Sequence, residues 1–159
     1  MKEFKSFGAF ANHLRRLSAE MPAVTAFVAE CIGEHVEKRA KDSIGHYQSS
    51  AGAFPAWSPL RPSTEARKAA LGYPADAPLL ATGEMRDSIS HTVVRRMLSA
   101  SVVVGSPDQK MVYHEFGTSK MPPRPVLGPA MFHAKEDIER IGAVTLFAFL
   151  AGETWRLKK

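Results

Sequence analysis

The sequence predicts an α+β fold, on three observations. Residues 4–44 and 128–151 carry apolar side chains at helical spacing, residues 88–106 are rich in β-branched residues, and residues 46–80 are broken by five prolines. The expected architecture is a long N-terminal helical segment and a C-terminal helix packed on a small antiparallel sheet, with a long proline-rich arm. A chain of 159 residues suits a single domain spanning 1–159, because one core commonly organises about 100 to 200 residues.

The elements follow in order. Phe7, Phe10, Leu14 and Leu17 share one helical face while Arg15 and Arg16 fall off it, so 4–19 reads as a short amphipathic helix. Pro22 is expected to start a second helix, since proline suits a first helical position. Val24, Phe27, Val28, Cys31, Ile32, Val36 and Ala40 continue an apolar face toward Ile44, and Gly45 is a plausible stop. Glu34 with Lys38 and Glu37 with Lys41 add ion pairs four residues apart.

Residues 46–80 leave room only for a short helix over 63–71, and connections this long inside a domain are uncommon. The segment reads as an arm anchored by Trp57, Leu60 and Tyr73. Thr82 can cap a short helix with Glu84 in its first turn. SISHTVVRRM and SASVVVGS then read as two strands of a hairpin turning near Arg96 to Ser99, and MVYHEF, 111–116, is a third strand or a single helical turn, of which the strand is expected.

Residues 113–130, YHEFGTSKMPPRPVLGPA, place Pro122, Pro123, Pro125 and Pro129 within eight positions. Each fixes its own φ and pushes the preceding residue toward extended geometry, so this hook is ordered before it meets anything. Gly117 can turn the chain, and Thr118 or Ser119 can bond local backbone there. Arg124 projects from between two prolines and is expected to pair with Glu115, in its own subunit or the next. Gly128 and Pro129 suit a helix start, with Gly152 past its end. The stretch 143–151, AVTLFAFLA, is apolar all round, so it must be covered by the fold or by another subunit.

Composition narrows the function. Hydrophobic residues at 45% and charged residues at 23% describe a folded domain. The lone Cys31 cannot close an internal disulfide and suits a reducing compartment, with a buried thiol. The opening MKEFKSFGAF lacks a signal-peptide apolar run and no window reaches a membrane span, so a cytosolic protein without membrane partners is expected. Net charge is +5, spread as +1, +1, +2 and +1 over 1–45, 46–80, 81–126 and 127–159. Affinity for nucleic acid grows with the phosphates neutralised together, so this dispersion disfavours a dedicated binder, and the tail of Arg156, Lys158 and Lys159 reads as a solvated end.

Catalytic patterns are wanting. Histidines at 13, 35, 46, 91, 114 and 133 show no paired zinc spacing, and His35 reads as a satisfied boundary residue. His114 and Glu115, adjacent on a strand, would point to opposite faces. GTSK, 117–120, lacks the glycine spacing of a phosphate loop, and Met121-Pro122 forbids the helix that should follow. No enzyme, cofactor or metal is expected. A small hydrolase would have only Glu115 and His114 to work with.

The order Tyr113, Glu115, Phe116, Gly117, Thr118, then Met121, Pro122, Pro123, Arg124, Pro125, Val126, Leu127, Gly128, Pro129 and Ala130 resembles tailed-phage head-tail joining and tail-completion proteins. Trp57, Pro59, Leu60, Thr64 and Lys68, followed by Leu80, Thr82, Gly83, Met85 and Ser88, resemble the related phage virion morphogenesis proteins. Val126 stands where the family commonly has an aromatic residue, and His114 where a small or variable one is usual.

The resemblance implies a non-enzymatic α+β subunit of the virion neck, made in the host cytoplasm and assembled as a homo-oligomeric ring, expected to be a hexamer. It would join the tail tube to head-tail connector proteins as a tail-completion or terminator subunit. Head-side adaptor or stopper is the alternative, and a basic nucleic-acid-binding protein the more remote one; a ring lumen could also meet DNA non-specifically. The expected interface residues are Trp57, Leu60, Tyr113, Glu115, Phe116, Gly117 and Thr118, with Met121, Pro122, Pro123, Arg124, Pro125, Leu127 and Pro129.

Overall fold

Pro22 does not break the first helix. In a computed structural model describing residues 3–97 and 99–156, α1 runs unbroken over Phe7–Ser43 with Pro22 inside it. The tail residues Lys158 and Lys159 lie outside the described residues. The expected pair of helices is therefore one. A proline in a helix interior forfeits a backbone bond and costs about 3 kcal/mol, so something must hold both sides together. Leu17 and Val24 bracket it and are buried with Phe149, with Met21 and Trp155 packed alongside. Burial of each large apolar side chain contributes about 1.5–3 kcal/mol, enough together to override the local preference. The Thr25 hydroxyl, in turn, donates to the Met21 and Pro22 carbonyls, both at 3.1 Å.

The remaining elements are α2 Pro62–Ala70, α3 Glu84–Asp87, β1 Ser90–Arg95, β2 Ala100–Gly105, α4 Gln109–Phe116 and α5 Leu127–Ala151. Helices plus a two-stranded sheet of neighbouring β1 and β2 make the fold α+β, as the residue pattern predicts. The hairpin closes where expected, the Arg96 N–H donating to the Ser99 carbonyl at 2.8 Å. Thr82 acts one residue before the cap position, its hydroxyl accepting the Glu84 N–H at 3.4 Å.

MVYHEF is helical, contrary to the strand expected there. Asp108 decides it: its side chain accepts the Lys110 N–H at 2.9 Å, and its own N–H donates to the Ser106 hydroxyl at 3.0 Å. Ser-Pro-Asp ahead of Gln109 is a helix-start signal that outweighs a short β-like run.

The chain forms two compact units. The first comprises 1–33, 92–103 and 136–159, with Leu17, Val24 and Phe149 at its centre. There the apolar stretch 143–151 is covered on one side only: Thr145 and Phe149 are buried, while Val144, Leu146, Phe147 and Leu150 face outward. Phe147 is 75% exposed. Phe149 and Phe27 each set a ring edge-on to Trp155. Cys31, expected buried, is half-buried.

The second unit comprises 34–91 and 104–135. Val36, Ala40, Ile44, Trp57, Ile89 and Val126 are among its buried residues. The end of the arm is tied back to the end of α1, the Gly45 N–H donating to the Pro78 carbonyl at 2.9 Å, and within the arm the Trp57 N–H donates to the Gln48 carbonyl at 2.9 Å. Phe54 of the arm packs against the start of α5, so close that a Cβ on Gly128 would sit 2.3 Å from its ring. Glu37 takes a hydrogen bond from Lys41 at 2.5 Å and one with His91 at 2.6 Å, and these hold its carboxyl below the usual range. Arg39 Nε donates to His35 at 3.1 Å, which satisfies that boundary histidine. Among the described residues, no helix is long and apolar enough to cross a membrane.

Candidate functional site

The proline hook is built from three anchors, all within the second unit. The first is Glu115, at the end of α4. Its Oε2 accepts the N–H of Val126 at 2.7 Å and of Leu127 at 3.2 Å, and its Oε1 accepts that of Gly128 at 3.1 Å. These are the donors that the first turn of a helix cannot use internally. A carboxylate there also meets the positive end of the α5 dipole, so a residue eleven positions upstream of Val126 caps the last helix.

The second anchor is Trp57. It is buried, and its indole N–H donates to the Pro125 carbonyl at 3.0 Å across 68 residues of chain. The third is Arg124, 6% exposed. Its Nε and Nη2 donate to the Ser58 carbonyl at 3.2 and 2.9 Å, and Nη2 also reaches the Pro59 carbonyl at 3.2 Å. The Arg124 N–H donates to the His114 carbonyl at 2.7 Å, tying the hook to α4. Arm and hook are thus one object, held by side-chain bonds to backbone that neither segment could satisfy alone.

The expected Arg124–Glu115 pair is not formed within the chain. Three backbone N–H groups take the carboxylate and two carbonyls take the guanidinium, because an unfilled helix start and unpaired arm carbonyls each demand a partner first.

The turn of the hook is tight. Thr118 and Met121 exchange backbone bonds at 2.9 and 3.2 Å, and the Thr118 hydroxyl accepts the Lys120 N–H at 3.3 Å. Gly117 has φ +74°, and a Cβ on it would meet the Met121 carbonyl oxygen and the Pro123 nitrogen at 2.9 Å each. Only glycine fits there.

The expected interface residues therefore divide by burial. Trp57, Arg124, Pro125 and Pro129 are buried in their own chain. Leu60, Glu115, Gly117, Met121 and Leu127 are half-buried. Tyr113, Phe116, Thr118, Pro122 and Pro123 face outward, with Phe116 79% exposed. The buried set builds the hook and the outward set is what it presents. Val126, at 1% exposed, fills the site beneath the hook where an aromatic residue was the family expectation.

His114 and Glu115 sit on a helix, so the opposite-face reading of this pair does not apply. Burial, and then the charge of Arg124, push the His114 imidazole below its usual pKa, with Asp108 pulling the other way. Among the described residues, no three of His, Cys, Asp and Glu gather where they could hold a metal ion.

Glu115 as a remote cap, Phe54 on Gly128 and the Ser58 and Pro59 carbonyls were not legible in sequence. Each is a contact between segments far apart in the chain, and local spacing carries no signal for it. Asp108 was legible in principle, from the Ser-Pro-Asp start.

A model of the phage virion morphogenesis family matches residues 6–145, which include arm, hairpin, hook and most of α5. No curated protein and no solved structure matches the chain. Matched over most of its length, with the arm and hook that carried the resemblance inside the match, the chain belongs to the phage virion morphogenesis family.

Proposed function

We propose that this chain is a structural, non-catalytic tail-completion subunit that closes into a ring at the virion neck, expected to be a hexamer, and joins the tail tube to the head-tail connector. Family membership supports virion association. The observation that carries the finer reading is the anchored hook. Trp57, Glu115 and Arg124 fix it from inside, and Tyr113, Phe116, Pro122 and Pro123 are left outward. Docking a flexible loop would forfeit about 1–2 kcal/mol of backbone freedom per residue, which a prefixed hook largely avoids.

Closed rings use two different patches on each copy. The hook face is one. The uncovered ridge of Val144, Phe147 and Leu150 on α5 is the other, an apolar patch of the kind that marks an association surface. In the ring, the hook of one copy rests on the α5 ridge of the next, while the spread of positive charge lets the lumen pass DNA without holding it.

Native mass spectrometry of the protein, alone and with purified tail tubes, tests this. A closed oligomer on the tubes is expected, lost in both Phe116→Asp and Phe147→Asp while each variant remains folded by circular dichroism. A wild-type chain that stays monomeric with tubes would reject the ring, and variants that still close would reject the contact between hook and ridge.

A further inference from the structure

We propose that the cavity between arm and hook is a binding site for an acidic, apolar-flanked peptide segment of a partner protein. This goes beyond the ring and does not depend on it, because it stands on the chemistry of one cavity inside the second unit.

The cavity holds about 450 Å³. Its charged lining is all of one sign: Arg61, Lys68, Lys110, Lys120 and Arg124, with no aspartate or glutamate among the lining residues. Some of that charge is answered nearby. Lys110 lies 3.7 Å from Asp108, and Lys68 donates to the Ala77 carbonyl and feels Asp76 and Glu65. Arg124 is not answered. It is buried, its partners are the Ser58 and Pro59 carbonyls, and no described carboxylate forms an ion pair with it. Nη1 makes no hydrogen bond among the described residues, so donor capacity remains. A buried cation without a counter-charge is expensive to keep, and an incoming carboxylate would relieve it.

His114 adds a second, independent mark. It lines the same cavity, and its Nδ1 is shielded from solvent with no hydrogen-bond partner among the described residues. A buried polar atom left open in this way is rare and marks a wall of the cavity that its own chain does not complete.

The remaining walls are mostly apolar, with Leu60, Leu80, Met85, Met121 and Pro122 beside the hydroxyls of Thr64 and Thr82. Those walls choose the ligand. A nucleic-acid backbone is followed by a ridge or groove of cations, whereas a concave apolar pocket with a cationic floor and rim suits a carboxylate beside a leucine- or phenylalanine-sized side chain.

Fluorescence anisotropy with a fluorescein-labelled hexapeptide, three glutamates alternating with leucine and phenylalanine, reads the site directly. Saturable binding is expected, weakened by salt, and about tenfold weaker for the matched glutamine peptide. The exposed pair Arg61→Glu and Lys120→Glu, together in one chain that keeps its wild-type circular dichroism, is expected to lose binding by about tenfold or more. Absence of binding, equal affinity for the glutamine peptide, or binding unchanged in the Arg61/Lys120 chain would overturn the proposal. So would displacement of the peptide by equimolar inorganic phosphate, which would mark a small-anion site. A duplex oligonucleotide that binds where the peptide does not, and is lost in the Arg61/Lys120 chain, would overturn it in favour of nucleic acid.

Discussion

The carboxylate of Glu115 accepts the backbone N–H of Val126 at 2.7 Å, and this bond makes the end of one helix the cap of another. Leu127 and Gly128 donate to the same side chain, so three otherwise unused donors depend on one residue. Glu115→Ala is expected to lower stability by about 2–3 kcal/mol, since charge-assisted bonds to a helix start are among the stronger single interactions. Glu115→Gln, which keeps an acceptor but not the charge, should lose about half of that. Urea unfolding of the two variants checks both the size and the order.

Trp57 couples arm to hook through shape and through one hydrogen bond, and two substitutions separate these. Trp57→Phe keeps most of the buried ring and leaves the Pro125 carbonyl unpaired, for a loss of about 1–2 kcal/mol. Trp57→Ala also opens a cavity and should lose about 3–5 kcal/mol. Limited proteolysis within 46–80 should quicken in the same order as thermal stability falls. An arm equally resistant in all three proteins would show that the indole does not hold it.

His114 predicts a pH effect of definite sign. Burial and the nearby Arg124 hold its pKa below the ordinary 6.5, so near and below that pH the unfolded chain binds the proton more readily than the folded one. Stability should therefore fall as pH drops through the ordinary histidine value and level off below the folded one. The slope this residue adds is at most about 1.4 kcal/mol per pH unit. Across denaturation from about pH 7.5 to 5, wild type should lose stability relative to His114→Gln as pH falls. Parallel curves would remove His114 as the source.

Much of the fold could be read from spacing, because α2, the hairpin and α5 each declare themselves within a dozen residues. Two elements misled for physical reasons. Pro22 carries a strong local signal for a new helix start, and the burial of Leu17 and Val24 with Phe149, more than a hundred positions away, overrules it. MVYHEF is too short for its own periodicity to choose a state, and Asp108 chose helix for it. At the site, Gly117 announced a turn of the chain, and at φ +74° it makes one. The Arg124–Glu115 pair was a reasonable guess from charge, yet both groups serve backbone partners, since a sequence displays charges and hides unpaired carbonyls and N–H groups. Trp57, expected both to anchor the arm and to serve an interface, is buried and bonded within its own chain.

Phe116 stands at the outer face of the hook, anchored from behind and uncovered in front. A photo-crosslinking phenylalanine analogue at position 116, irradiated in intact particles, asks what it touches. The proposal that the hook joins one copy to the next requires a crosslink to a second copy of this chain, mapping to the α5 ridge around Phe147. Irradiated particles in which position 116 crosslinks to nothing, while the same analogue at exposed Phe147 does capture a neighbour, would contradict it.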